Sequence, residues 1–154
     1  MNRRLALLGF PIGYLAISSA VLAQQSIPIK VQVEPSTGSK LQIRLTNAAS
    51  TGIRLYRSDL PWATRGSMIV AAVKLSGTGE TLADALAIYD PPPGEVTIAP
   101  GQTMTGEIDL AMRFQQSWKK ALGKPLLVFW SYQLQSVDGR ASNRINGSLE
   151  FTPR

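Results

Sequence analysis

The sequence predicts an all-β protein. Three observations carry that prediction: apolar and polar residues alternate through most of the chain, turn signals recur at short intervals, and no periodic apolar stretch is long enough for a crossover helix.

Taken in order, Ile27, Ile29, Val31 and Val33 alternate with Pro28, Lys30, Gln32 and Glu34, and Pro35-Ser36-Thr37-Gly38 reads as a turn. Leu41, Ile43 and Leu45 alternate with Gln42, Arg44 and Thr46, and residues 47–52 read as a loop. Residues 53–58 make a third short strand. Residues 68–75 are apolar at nearly every position, the pattern of a strand covered on both faces. Residues 81–89 have the composition of one or two helical turns, stopped by Asp90-Pro91-Pro92-Pro93-Gly94. Val96-Thr97-Ile98 is a short strand, and Ala99-Pro100-Gly101-Gln102 a type II turn. In the next strand Met104, Gly106, Ile108 and Leu110 point inward, with Thr103, Thr105, Glu107 and Asp109 outward. Residues 113–122 read as a loop with a helical turn. Residues 126–135 give the strongest strand, with Val128, Trp130, Tyr132 and Leu134 on one face. Asp138-Gly139 signals a hairpin, and Ile145, Gly147, Leu149 and Phe151 close the pattern.

Seven to eight short strands at this spacing fit an immunoglobulin-like antiparallel β-sandwich over residues 24–154, with a small barrel of the same strands as the alternative. Nothing after residue 23 suggests a domain boundary or an internal repeat.

Residues 1–23 read as a signal peptide. Arg3 and Arg4 form a positive start, no charge occurs from Leu5 to Ala23, and Val21-Leu22-Ala23 suits a signal peptidase. The alternative is an uncleaved N-terminal membrane anchor; Gly9, Pro11 and Gly13 dilute the stretch, and no basic stop-transfer cluster follows. The expected location is periplasmic or secreted, with no membrane span left after cleavage. Cleavage leaves 131 residues, and loss of two arginines lowers the net charge from +6 to +4.

The charge is laid down in blocks. Residues 24–74 hold seven Lys/Arg against Glu34 and Asp59, residues 75–110 hold six acids and no base, and residues 111–154 hold seven bases against Asp138 and Glu150. Pairing of these blocks across the fold is the expected outcome. The chain has no cysteine and no histidine. That excludes disulfides, a lipidated cysteine, Ser-His-Asp or Cys-His catalysis, and the usual zinc and copper sites. The bases are scattered and the aromatics few, which argues against nucleic acid.

A strand ending in Asn47, then Leu55-Tyr56-Arg57-Ser58-Asp59-Leu60-Pro61-Trp62, then Ile98-Ala99-Pro100-Gly101 leading into Ile108-Asp109-Leu110 and a late aromatic strand, resembles the non-catalytic β-domain that precedes the protease domain in deuterolysin-type metallopeptidases. The likeness runs over residues 40–135. It implies an accessory or stand-alone module, because the zinc-binding HExxH of those peptidases is absent.

The residues themselves offer few candidates for chemistry. Glu107 and Asp109 lie two apart on one strand face, as paired carboxylates of a hydrolase acting on a cell-wall polysaccharide would, although alternation alone also puts polar residues there. Such a hydrolase needs two carboxyls about 5–10 Å apart across one cleft. Asp84, Asp90 and Glu95 are a weak calcium candidate without a binding-loop motif. The most distinctive segment is Arg57, Asp59, Trp62 and Arg65, with Trp118 and its lysines as a second loop. A Trp beside arginines suits an anchor for a partner, and equally a plug at one end of a sandwich. The sequence therefore leads to an exported, non-enzymatic binding module with no metal or cofactor, its partner an envelope protein or polymer. The alternatives are the carboxylate hydrolase and a structural subunit that lends an edge strand.

Overall fold

A computed structural model describes residues 26–77, 79–84 and 90–153. The uncharged N-terminal segment lies outside the described residues, as do positions 85–89 of the stretch read as helical turns. The fold is all-β and sandwich-like, with eight strands in three antiparallel sheets among the described residues. They are β1 (Ile29–Pro35), β2 (Lys40–Asn47), β3 (Ile53–Tyr56), β4 (Met68–Lys74), β5 (Glu95–Ile98), β6 (Thr103–Asp109), β7 (Leu126–Tyr132) and β8 (Ile145–Phe151). One helix, α1 (Leu110–Lys119), joins β6 to the turn before β7. No described helix is long and apolar enough to cross a membrane.

The sheets run β1-β2-β6, β3-β5 and β4-β7-β8. Their inward rows are the apolar halves of the alternation: Leu41, Ile43 and Leu45 of β2, Met68, Val70 and Ala72 of β4, and Val128, Trp130 and Tyr132 of β7 belong to one core. Burial pushes the Tyr132 phenol well above its usual range, and its hydroxyl donates to the Asp59 carbonyl at 2.8 Å. The turns take the chemistry they require. Gln102 N–H donates to Ala99 O at 3.0 Å with Gly101 at φ 73°, and Ser136 N–H donates to Arg140 O at 2.8 Å around Gly139.

Three sequence expectations need correction. Residues 68–75 are not covered on both faces: Ile69 in β4 and Leu75 just after it, on the outer row, are 56% and 47% exposed. A continuous apolar run looks the same whether its second face is covered or bare, so composition cannot separate the two. The third strand ends at Tyr56, and residues 57–59 turn as a 3-10 helix. The loop expected from residue 113 is preceded and largely replaced by α1, which starts at Leu110 because Asp109 caps it. Asp109 Oδ1 accepts from Ala111 N at 2.9 Å and Met112 N at 3.2 Å, satisfying amides that a helix start leaves without partners.

The helix is broken inside. Gln115 sits at φ 42° and ψ −108°, a conformation open to glycine and strained for any L side chain. The Gln115→Gly variant is expected to be more stable by about 1 kcal/mol, because relief of strain outweighs the added freedom of the unfolded chain. A rise in the midpoint of urea unfolding, with the slope unchanged, checks this.

The charge blocks pair as expected. Lys40–Glu107, Arg54–Glu95, Arg65–Asp84, Lys74–Glu80 and Arg113–Asp84 each join the central acidic segment to a flanking basic one.

Candidate functional site

The segment from Leu60 to Ser67 crosses between the 3-10 turn and β4, and its backbone is fixed before any ligand arrives. Leu60 and Pro61 are buried. Thr64 Oγ1 and Ser67 Oγ share a 2.6 Å hydrogen bond, and Ser67 Oγ lies 2.6 Å from the Ser58 carbonyl. Trp62 is thereby laid against β6 directly over Gly106: a β-carbon at position 106 would fall 2.0 Å from Trp62 Cδ2. The glycine is what lets the indole lie flat on the strand.

Arg65 holds the loop to α1. Its guanidinium donates to the carbonyls of Met112 at 2.6 Å and Arg113 at 3.3 Å, the two residues shortly before the Gln115 break, and pairs with Asp84 at 3.4 Å. Arg113 reaches back from the other side. Its buried guanidinium donates to Met68 O and Arg65 O, each at 3.2 Å, and pairs with Asp84 at 3.1 Å. Burial pulls its pKa down while Asp84 pulls it up. Asp84 is thus committed to two arginines, and Glu95 to Arg54 at 3.2 Å, so two of the three carboxylates weighed for calcium already serve ion pairs.

These contacts leave a cleft of about 220 Å³ lined by Trp62, Arg65, Glu107, Ile108, Asp109 and Met112, among others. Trp62 is half-buried and Met112 is 59% exposed. Both residues of the suspected pair line the cleft, but each carboxylate has other work. Glu107 accepts from Lys40 Nζ at 2.8 Å, and Asp109, besides capping α1, accepts from Ser39 Oγ at 2.7 Å.

The structure brings together two of the five residues singled out by sequence, Trp62 and Arg65. Arg57 and Asp59 lie on the adjoining 3-10 turn and do not line the cleft. Trp118 is in the core, 5% exposed, with its ring centroid 5.7 Å from that of Phe151. Sequence reasoning missed Met112 and Ile108. The signal that would have found Met112 was Asp109 standing just before a run with apolar residues three and four apart, the mark of a capped helix that would carry Met112 next to the strand.

No family model and no curated protein matches the chain. Among solved structures it is similar to a protein from Archaeoglobus fulgidus, with 13% identity, a TM-score of 0.33, and coverage of 82% of this chain and 96% of that one. A likeness this distant carries no functional argument.

Proposed function

We propose that the chain is an exported, non-enzymatic interaction module of the bacterial envelope, which engages a protein or polymer partner through the cleft between Trp62 and Met112. The supporting observation is the cleft itself: an indole on a fixed loop, an exposed methionine opposite, and polar groups that are already hydrogen-bonded or ion-paired. An aromatic ring held on a fixed loop, beside an exposed and adaptable methionine, suits recognition. Export is the reading of the N-terminal segment, and the resemblance to the accessory β-domain of deuterolysin-type peptidases accords with a module without catalysis.

The test compares the parent with Met112→Asp as bait in envelope extract. Met112 is exposed, so the variant is expected to fold normally by circular dichroism and to lose, by at least tenfold, whatever the parent retains. Undiminished retention by Met112→Asp would reject the cleft as the binding surface.

A further inference from the structure

At the opposite end of α1 from the cleft, the charge bookkeeping leaves a remainder. Four of the six acids of the central block, Glu80, Asp84, Glu95 and Glu107, are held in ion pairs with other residues, yet Lys119, Lys120 and Lys124 are exposed and form no ion pair among the described residues. Glu80 adjoins them; it already holds Lys74 at 2.6 Å, and that pairing, with the fields of Lys120 and Lys124, keeps its carboxyl below the usual range. The other acid on a neighbouring strand is Glu150 of β8. Positive charge is in excess here.

Between these lysines stand two bare leucines. Ala121 to Lys124 is a tight turn closed by Lys124 N–H to Ala121 O at 3.0 Å, with Gly123 at φ 72° and Leu122 at its tip, 50% exposed. Leu75, 47% exposed, is tied to the same place by its N–H, which donates to Pro125 O at 3.0 Å. Beneath them the turn is anchored by Gly123 N–H to Pro153 O at 3.0 Å and by the Trp118–Phe151 contact. The platform is fixed, and its leucines and lysine stems project from it.

We propose that this lysine–leucine surface docks on an anionic membrane. Charge alone would suit any acidic partner, but protruding leucines ringed by lysines match a bilayer interface in particular. There apolar tips enter the headgroup boundary while long cationic stems reach the phosphates. A purely acidic soluble chain has no apolar layer to receive the leucines. This reading is independent of the Trp62 cleft: Met112 of the cleft lies in the first turn of α1 and Lys119 at its end.

The absence of cysteine provides the test. The full chain carrying Leu122→Cys, labelled with an apolar, environment-sensitive fluorophore, is titrated with phosphatidylglycerol-rich vesicles and with vesicles of phosphatidylcholine alone. The label is expected to shift to the blue on the anionic vesicles only, while the same label at Ser50→Cys, in the loop after β2, stays in water. Each lysine near such a surface is worth roughly a factor of five in partitioning. Adding Lys119→Gln, Lys120→Gln and Lys124→Gln should therefore raise the lipid needed for half the shift by roughly 100-fold, with the circular dichroism spectrum unchanged. Because the N-terminal segment is common to all these chains, the label reports the surface itself. Three results would overturn the proposal: a label that stays in water while the chain co-sediments with anionic vesicles, an equal shift on neutral vesicles, or the same shift with soluble polyglutamate, which would mark a site for acidic chains.

Discussion

Gly106→Ala is expected to lower stability by about 3 kcal/mol, at the upper end of what one added methyl costs in a packed site. The added carbon has nowhere to go: the nearest atoms are Trp62 Cδ2 at 2.0 Å and Cε2 and Cγ at 2.3 Å, all in a rigid ring whose loop is pinned by Ser67 and Arg65. The whole indole has to lift, opening the core side of β6 where Gly106 faces Ile43. Urea unfolding of four proteins checks this: the parent, Gly106→Ala, Trp62→Ala and the double variant. With the ring removed, the alanine is expected to cost under about 0.5 kcal/mol, so the two changes will be strongly non-additive. Additive costs would mean that the indole does not lie on the glycine. The cycle also bears on Trp62→Ala as a binding probe, since loss of the ring alters packing as well as the cleft, and Met112→Asp is the cleaner reagent.

Asn47→Ala should cost about 2–3 kcal/mol, the penalty for stranding buried backbone groups. Asn47 is fully buried. Its Nδ2 donates to Thr51 O at 2.8 Å and Ile98 O at 2.9 Å, and its Oδ1 accepts from Ala49 N at 2.8 Å. Its backbone is used as well: N–H donates to Gln102 O at 3.0 Å and the carbonyl accepts from Gly101 N at 2.9 Å. One side chain therefore ties the end of β2 to the loop before β3 and to the end of β5. Asn47→Asp should be worse than alanine, because a carboxylate would face two carbonyl oxygens without a donor of its own. A thermal midpoint for Asn47→Asp at or above that of Asn47→Ala would contradict this arrangement.

How much of this was legible in the sequence varied with the kind of force involved. Alternation placed Leu41, Ile43, Leu45, Val128, Trp130, Tyr132 and Leu134 inside, and all are buried, because a strand with one covered face writes its orientation into every second residue. The exposed outer row of residues 68–75 was not legible: Ile69 and Leu75 are as apolar as their buried neighbours, and their exposure depends on what packs over that face of the sheet. Gly106 and Gly147 looked like plain inward positions. Their meaning depends on indoles that arrive from elsewhere, Trp62 from a loop and Trp130 from the facing strand, where a β-carbon on Gly147 would meet Cζ2 at 2.4 Å. A glycine inside a strand pattern announces a close approach without naming what approaches. Leu110 was read as the last inward residue of the strand because its periodicity was carried one residue too far; reading Asp109 as a cap would have revealed the helix. At the site, composition pointed to Trp62 and Arg65 but not to Met112, whose place follows from where that helix begins.

The order of the first sheet has a consequence for how the chain comes together in time. β2 lies between β1, its immediate predecessor, and β6, and the Ser39–Asp109 bond closes a gap of 70 positions. The β1–β2 hairpin can form as soon as it is made, yet one whole edge of β2 waits for the last third of the chain, and Glu107 and Asp109 bring the partners of Lys40 and Ser39 with them. Pairings this distant are entropically slow, giving folding on the scale of milliseconds to seconds. A nascent chain of this design keeps that edge of β2 open until residue 109 has emerged, and then closes with acids of its middle pairing with Lys40, Arg65 and Arg113.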